Sequence, residues 1–308
     1  MFIATRAPGR FNDFVLFRKI ALVGVGLLGG SLGLAIRERT LASVVQGYVR
    51  RDGAIAECAQ AGLNDFATRD LAAAVRDADL VILCTPLAQM RELVAQCLPL
   101  LKKGTLVSDV GSVKESVVAE LEPLVAGAGA HFIGAHPMAG AEKMGVAAAR
   151  VDLFRNAVCV LTPTAKSNPD ALQQLDEFWR ALGSRTLKLA PELHDELVAR
   201  CSHLPHVLAA ALANCVLDSA HPREQPLLCA NGFRDTTRVA SGSPEMWRDI
   251  AAANRKQLAR TLGAFIDDLE RIRRSLEAGE ARALEQFFAS AKQRRDAWAA
   301  QSASPSPE

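Results

Sequence analysis

The stretch KIALVGVGLLGG, residues 19–30, decides the fold. An apolar run typical of a buried strand ends at Gly24, and the pattern GxGxxG leads directly into a helical pattern. Between a strand and a helix, the first glycine permits a tight turn, the second lets the backbone approach a pyrophosphate, and the third allows close packing of helix on strand. A glycine-rich turn without a ligand is the alternative. We predict a dinucleotide-binding turn whose cofactor-binding residues are Gly24, Gly26, Leu27, Leu28 and Gly29.

Short apolar runs and helical patterns alternate through the first part of the chain. After the strand at 19–24, strand patterns lie at 43–49, 78–84, 104–110 and 131–135, and helical patterns lie between them. Strands separated by helices of about 10–15 residues indicate βαβ units and a parallel sheet covered by helices on both faces. Further strand patterns at 156–163 and 185–191 extend this sheet. We predict an α/β fold with an N-terminal doubly wound (Rossmann) domain over residues 18–189.

The pattern changes near residue 190. Long helical patterns at 191–219, 244–278 and 280–299 follow, and the chain ends in the polar stretch QSASPSPE. We predict an all-α second domain over residues 190–300, with flexible termini at 1–17 and 301–308.

Composition limits the classes of partner. The 308 residues are 49% hydrophobic, which is enough for two cores. The 36 Lys and Arg residues nearly balance 34 Asp and Glu residues, so we expect no nucleic acid partner. The longest apolar run, 207–217, is far short of the roughly 18 residues that a membrane span requires, so no membrane association is expected.

The cysteines bear on the cellular compartment of the protein, and the histidines bear on whether it binds a metal ion. The seven cysteines lie mostly in apolar segments and form no CxxC pair, and no signal peptide precedes the first domain, so we predict a cytoplasmic protein. His131, His194 and His221 show no metal-ligand spacing with Asp, Glu or Cys. We therefore predict no metal site.

The stretch GYVRRDG, residues 47–53, bears on the choice of cofactor. An acidic residue that binds the ribose 2′-hydroxyl is expected at the end of the second strand, where Val49 stands instead. Arg50 and Arg51 follow, and guanidinium groups bind a 2′-phosphate through bidentate, charge-assisted hydrogen bonds. Alternatively, both arginines are solvated surface charges and Asp52 is the ribose acid, although Asp52 is equally well explained as a helix N-cap. We predict NADP as the preferred cofactor, with NAD possible.

Six further motifs follow one another along the chain: LCTPL (83–87), SDVGSVK (108–114), GAHPMAG (134–140), SHLPH (202–206), GFRDTTR (232–238) and MWRDI (246–250). Together with the glycine pattern, they make the chain resemble the prephenate dehydrogenase family, which includes the arogenate and cyclohexadienyl dehydrogenases. The resemblance extends over about residues 18–300. Thr85 and Pro86 of the first motif are expected to border the cofactor.

The resemblance implies a reaction and a set of residues. Enzymes of this family in tyrosine biosynthesis oxidise prephenate or arogenate, each a dienol, at the ring carbinol and release CO2. The resemblance implies a helical second domain used for homodimerisation and an active site between the domains. Departures from the family pattern occur at Val49 and Ala141. The implied catalytic residues are His136 and Ser112, and the implied substrate-binding residues are His206, Arg238 and Trp247.

The chemistry of these residue types agrees with the implied roles. Ser112 and His136 follow predicted strand ends, the edge of a doubly wound sheet where ligands bind. A neutral imidazole, with its usual pKa of about 6.5, can accept the carbinol proton near neutral pH. The guanidinium of Arg238 can hold a substrate carboxylate in a bidentate pair. Glu142, two residues after HPMAG, is a candidate partner for the ammonium group that distinguishes arogenate from prephenate.

Structural explanations for the same residues stay open. His136 is alternatively a loop histidine bonded to backbone, and Ser112 an N-cap for a helix starting at Val113. His203 is expected to be structural, and Arg238 alternatively pairs with Asp235 or Glu245. Trp247 is equally consistent with interface core. Two other functions also remain: a β-hydroxyacid-type NADP-dependent dehydrogenase on the same plan, or a non-catalytic nucleotide sensor.

Overall fold

A computed structural model describes residues 15–63, 66–140, 144–218 and 221–303. The chain divides into two compact units, one ending at Arg255 and one beginning at Lys256. The predicted domain boundary near residue 190 stays a prediction. The predicted flexible termini lie largely outside the described residues, although a strand begins at Phe17 and the last helix continues to Ala303.

Among its described residues, the first unit contains one eight-stranded sheet with the strand order β3-β2-β1-β4-β5-β6-β7-β8. Its strands are Phe17–Val23 (β1), Ala42–Tyr48 (β2), Ala67–Thr68 (β3), Leu80–Leu83 (β4), Leu106–Asp109 (β5), His131–Pro137 (β6), Val158–Thr162 (β7) and Arg185–Lys188 (β8). The first six strands are parallel in the order 3-2-1-4-5-6, which is the doubly wound arrangement predicted from the sequence. The strand order reverses between β1 and β4, and ligands bind at such a switch point.

Strand β7 departs from the expected parallel arrangement because it runs antiparallel to β6. Parallel neighbours need a long crossover, usually an α-helix. The described part of the connection between these two strands contains only the short 3₁₀ turn Val146–Ala148 and no α-helix. Strand β8 pairs parallel to β7 after a full helical crossover.

In the first unit, some helices lie between strands in the chain and cover the two faces of the sheet, and others come after the last strand in the chain. They are Leu27–Glu38 (α1), Asp52–Gln60 (α2), Leu71–Val75 (α3), Leu87–Cys97 (α4), Glu115–Gly127 (α5), Pro169–Ala181 (α6), Pro191–Val198 (α7), Leu204–Leu217 (α8), Asn231–Thr237 (α9) and Pro244–Ala253 (α10). A helix begins again at Arg255 and runs to Glu277 (α11), and the last helix is Ala281–Ala303 (α12).

The buried strands explain why both faces need helices. In β1, Ile20 and Leu22 pack into one apolar cluster, whereas Ala21 and Val23 pack into another. Successive strand side chains point to opposite faces, so a strand buried on both faces reads as a continuous apolar run. The KIALV pattern therefore predicted a central strand correctly.

The helical pattern predicted over 191–219 is interrupted. Helix α7 ends at Val198, residues 199–203 form a π-type turn, and α8 begins at Leu204. Pro205 has no amide hydrogen to donate to the carbonyl group four residues earlier, which breaks the regular hydrogen-bond ladder here. Such π-type turns are frequent at functional sites. In the described part of the chain, no helix is long and apolar enough to cross a membrane.

Candidate active site

The glycine turn, residues 24–29, follows β1 at the switch point of the sheet. Gly24 has φ +99°, a conformation that favours glycine, and a Cβ atom there would lie 2.7 Å from Thr85 Cγ2. A Cβ atom on Gly29 would lie 2.1 Å from the Gly24 carbonyl oxygen, whereas one on Gly26 would meet no described atom within 4 Å. The first and third glycines are therefore required by packing, and the second borders open space.

The groups around this open space fit a dinucleotide. Helix α1 begins directly after Gly26, without a capping side chain and without an acidic residue in its first turn. Its first amides therefore remain as donors for phosphate oxygens. Across the switch point, the hydroxyl oxygen of Thr85 is buried and has no hydrogen-bond partner in the described chain. Pro86 caps α4 beside it. Both sides of the turn thus offer polar groups to a ligand.

The edge formed by the ends of β2 and β3 carries the arginines. Val49 is buried, so it offers only its backbone there. Arg50 and Arg51 are exposed, and Arg51 Nη2 lies 3.0 Å from a carboxylate oxygen of Glu57. The carboxylate of Asp52 accepts two hydrogen bonds from Arg69 Nη1, at 2.8 and 2.9 Å. Asp52 is the first residue of α2 and does not cap it, because Arg51 occupies the N-cap position.

His136 lies near the end of β6 and is almost completely buried. Its Nδ1 atom lies 2.8 Å from Nε2 of His194 on α7. Burial holds the pKa of His136 well below 6.5. Positive charge on the neighbouring His194, Lys114 or His203 lowers this pKa further. The pKa expected from the sequence was therefore too high, and the ring is firmly neutral near pH 7.

Asp195, next to His194 on α7, binds the start of α5. Its Oδ1 atom accepts a hydrogen bond from the Lys114 amide at 2.7 Å, and its Oδ2 atom accepts one from the Glu115 amide at 3.0 Å. A carboxylate at a helix N-terminus satisfies amides that have no partner within the helix. The interpretation of Ser112 as an N-cap is wrong, because α5 begins at Glu115 and Asp195 caps it from a distant helix.

A buried ion pair supports the strand that carries His136. Lys114 Nζ pairs with Asp109 Oδ2, and both side chains are completely buried. The same ammonium group donates a hydrogen bond of 2.8 Å to the carbonyl oxygen of Ala135. Asp109 also accepts from the Gly111 amide at 2.7 Å. These contacts tie the loop after β5 to the residue directly before His136.

His203 and His206 complete a group that we call the histidine cluster: His136, His194, His203 and His206. His203 is fully buried, and its Nδ1 atom lies 3.2 Å from Nδ2 of Asn254. Burial chiefly lowers the pKa of His203 to about 4, and Asp195 opposes this shift. The Ser112 backbone lies beside the same ring and also raises the pKa. The structural role predicted for His203 agrees with this burial.

The remaining predicted substrate residues surround His206. Its ring stacks on Trp247, with 3.6 Å between ring centroids and an interplanar angle of 27°. Burial lowers the pKa of His206, and the positive charge of Arg238 lowers it further. Trp247 also contacts His203 edge-on, with centroids 6.1 Å apart. The structure therefore brings Ser112, His136, His206, Trp247 and Arg238 around one cluster.

Sequence reasoning missed several residues of this site. His194 was considered only as a metal ligand, and Asp195, Lys114 and Asn254 received no role. Asp109 and Lys114 stand within the SDVGSVK motif, which was the one available signal. Ala141 and Glu142 lie outside the described residues. No group of three metal-binding side chains is found among the described residues.

The sheet order and the glycine turn define a Rossmann-type protein with a dinucleotide-binding turn. Residues 32–188 match the family model described as prephenate dehydrogenase, nucleotide-binding domain, and residues 190–290 match prephenate dehydrogenase, dimerization domain. The chain belongs to the prephenate dehydrogenase family.

Individual relatives agree with this assignment. Cyclohexadienyl dehydrogenase of Zymomonas mobilis is 34% identical over 91% of this chain and 96% of its own length. The crystal structure of prephenate dehydrogenase from A. aeolicus with hydroxyphenyl propionate and NAD+ superposes with a TM-score of 0.83 at 29% identity, covering 90% of this chain and 97% of that one. Synechocystis arogenate dehydrogenase superposes with a TM-score of 0.78 at 31% identity, covering 91% and 99%. The two alternative functions are not favoured.

Proposed function

We propose that this protein catalyses the NAD(P)-dependent oxidative decarboxylation of prephenate, arogenate or both, the reaction of tyrosine biosynthesis. The observation that carries the proposal is the buried, neutral His136, grouped with the other predicted substrate residues in a member of this family. The glycine turn, Thr85 and Pro86 would hold the dinucleotide, and its nicotinamide ring would supply the hydride acceptor.

In this proposal His136 takes the proton of the ring carbinol as hydride leaves the same carbon. The bond to the ring carboxylate then breaks, CO2 departs, and the released electron pair makes the ring aromatic. The new phenolic oxygen takes up a proton, which His136 returns. Ser112 would hydrogen-bond at the carbinol, and Arg238 would hold a substrate carboxylate. His206 and Trp247 would form the wall against which the substrate lies.

Steady-state kinetics of the full chain with prephenate and arogenate, each with NAD and NADP, tests the proposal. We expect the absorbance of reduced nicotinamide at 340 nm to rise with at least one of the two substrates. Absence of turnover with both substrates, together with measurable cofactor binding, would instead support the nucleotide-sensing alternative. Turnover of simple β-hydroxyacids without turnover of either dienol would support the other alternative.

We further propose that NADP is the preferred cofactor. Three observations support this: Val49 is buried and apolar, the exposed Arg50 and Arg51 follow it, and Asp52 already pairs with Arg69. An exposed pair such as Arg51 with Glu57 contributes little, so Arg51 can exchange Glu57 for a phosphate. Loss of one charge-assisted contact costs about 1.5–3 kcal/mol.

Arg50→Ala and Arg51→Ala therefore should weaken NADP affinity by roughly 10- to 150-fold while leaving NAD affinity nearly unchanged. Arg18→Ala is a matched control, because Arg18 is an exposed arginine near the start of β1, at the amino end of the parallel strands and not at the carboxyl end, which Arg50 and Arg51 follow. Isothermal titration with both dinucleotides measures the difference. A wild-type preference for NAD, or an Arg50/Arg51 double variant with normal NADP affinity, would contradict the proposal.

A homodimer in the cytoplasm is the final part of the proposal. The dimerization-domain match covers all of α11, whose exposed apolar residues include Ile266, Leu269 and Leu276. On α12, Phe288 and Trp298 are also exposed. All seven cysteines are free thiols, which supports a reducing compartment. Analytical ultracentrifugation should give twice the 33.0 kDa chain mass. We expect small-molecule substrates only, without a nucleic acid partner.

A further inference from the structure

A second histidine and a carboxylate lie in line behind His136. Nε2 of His194 is 2.8 Å from Nδ1 of His136, and Nδ1 of His194 is 2.7 Å from Oδ1 of Asp195. His194 and Asp195 are both at most 1% exposed, so water does not compete for these contacts. Each hydrogen bond in this row therefore restricts where the protons of the next ring can be.

The carboxylate fixes the first proton. Asp195 already accepts hydrogen bonds from the amides of Lys114 and Glu115 through its two oxygens. An ionised carboxylate has no hydrogen to donate, so the close contact with His194 requires the proton of that ring to be on Nδ1. In the neutral His194 ring, Nε2 then carries a lone pair directed at His136.

The lone pair of His194 fixes the second proton. Two lone pairs cannot face each other at 2.8 Å, so Nδ1 of His136 must donate. The remaining nitrogen of His136, Nε2, therefore carries the lone pair that a base needs. This order of protons holds for the neutral His194 ring, in which Nε2 carries the lone pair.

We propose that His194 is a positioning residue that holds His136 in the tautomer with its proton on Nδ1, so that Nε2 is the atom that accepts the substrate proton. This inference rests on the function proposed above, in which His136 is the base. Asp195 fixes the tautomer of His194 in the same way. The charged and titratable groups that face this row are Lys114 and Asp109 from the β5–α5 segment and His203 from the π-type turn.

The tautomer can be observed without any turnover. In the full chain labelled with 15N-histidine, two-bond proton–nitrogen correlation spectra at pH 7.5 distinguish the two neutral tautomers, and His136→Asn assigns the His136 signals. We expect the proton of His136 on Nδ1 and that of His194 also on Nδ1. A His136 ring protonated on Nε2 would overturn the inference. This measurement remains valid even if the chain oxidises neither dienol.

Kinetics provide the second test. His194→Phe keeps a flat ring but removes the acceptor, so we expect kcat to fall roughly 10- to 100-fold while KM and cofactor affinity change little. His194→Gln places an amide oxygen near the original Nε2 position and should recover part of the loss. His131→Phe is the control, because His131 lies at the other end of β6 from His136.

The outcomes separate the inference from the proposed function. If the wild-type protein oxidises neither dienol, the proposed function is wrong, and the spectra alone then decide the tautomer of His136. Active wild type with unchanged kcat in His194→Phe overturns the inference. Equal losses in His194→Phe and His194→Gln would assign His194 a packing role and overturn it as well.

Discussion

The glycine turn and the histidine cluster are built in opposite ways. The glycine turn is six consecutive residues whose geometry depends on contacts with each other and with the end of β4. The histidine cluster joins β6, α7, the π-type turn and α8, and its first hydrogen bond spans 58 residues of sequence. One site is formed by local backbone conformation, and the other exists only after the chain has folded.

The two regions also differ in what binds to them. The glycine turn offers backbone amides and a space that only a residue without a Cβ leaves open at position 26. The histidine cluster offers imidazole rings, and burial lowers the pKa of His136 and of His203. A turn of backbone amides suits any pyrophosphate, whereas a fixed row of rings suits one proton transfer. Binding and chemistry should therefore be separable by mutation.

The largest effect should come from His136→Asn. Asparagine keeps a polar side chain but cannot take up a proton at neutral pH, so kcat should fall on the order of 10²–10⁴-fold. In wild type, kcat should fall as pH drops, but only well below pH 6.5, because the neutral ring is the active form and burial lowers its pKa. Measurements of kcat against pH for both proteins decide this. Cofactor affinity should stay normal in the variant. Near-normal turnover of the variant, or a variant kcat that still falls at low pH as in wild type, would assign the base to another group.

Arg238→Gln should chiefly affect substrate binding. If its guanidinium holds a substrate carboxylate, KM should rise roughly 10- to 150-fold, with dinucleotide affinity unchanged. Arg238→Lys should recover only part, because an ammonium lacks the planar fork. Steady-state kinetics and dinucleotide titration measure both quantities. An unchanged KM in Arg238→Gln would show that Arg238 does not hold the substrate carboxylate and would favour its alternative role in an ion pair with Asp235 or Glu245.

A pair of alanine substitutions tests the division of roles inside the glycine turn. In Gly29→Ala the new methyl group meets the Gly24 carbonyl oxygen, so the free energy of unfolding should fall by about 1–3 kcal/mol, although alanine is the better helix former. In Gly26→Ala the methyl group enters open space, and stability should change by less than about 0.5 kcal/mol.

Dinucleotide affinity should fall in both variants. Gly26→Ala fills the space proposed for the pyrophosphate, and Gly29→Ala forces the Gly24 carbonyl group of the same turn to shift. Denaturant unfolding and dinucleotide titration of the two variants give the comparison. Normal dinucleotide affinity in Gly26→Ala would show that this space is not the phosphate site.

The pH dependence of stability tests the buried, neutral state of His203. The folded pKa of His203, about 4, lies below the ordinary value of 6.5, so between these values the unfolded chain binds one more proton than the folded chain. Stability therefore rises with pH across this window and is lost as pH falls, by at most about 1.4 kcal/mol per pH unit for this group. His203→Asn keeps an acceptor for Asn254 and should flatten the slope. Denaturant unfolding at pH 7, 6, 5 and 4 measures it, and an unchanged slope would contradict the buried-neutral state.

Several elements of the fold were predictable because they depend on short sequence patterns. The strands that begin at Phe17, Ala42, Leu80 and Leu106 each contain a short apolar run between helical patterns, and their approximate positions follow from those runs. Strand β3 was missed because it has only two residues. The predicted helix over 244–278 breaks at Asn254, whose side chain donates to the Asp195 carbonyl oxygen at 2.8 Å. A tertiary hydrogen bond of this kind leaves no periodic signal.

The sequence by itself determined the glycine turn and the doubly wound sheet, and its motifs, through the family resemblance, predicted a site formed by Ser112, His136, His206, Arg238 and Trp247. It could do so because strand and helix periodicity, glycine conformation and short motifs are local properties of the chain.

Only the tertiary structure decided which neighbours surround those residues. The low pKa of His136 arises from burial, and its proton arrangement arises from His194 and Asp195 on another element. Burial and hydrogen bonding between distant elements depend on packing of the whole sheet and its helices, so a sequence pattern around His136 does not contain them.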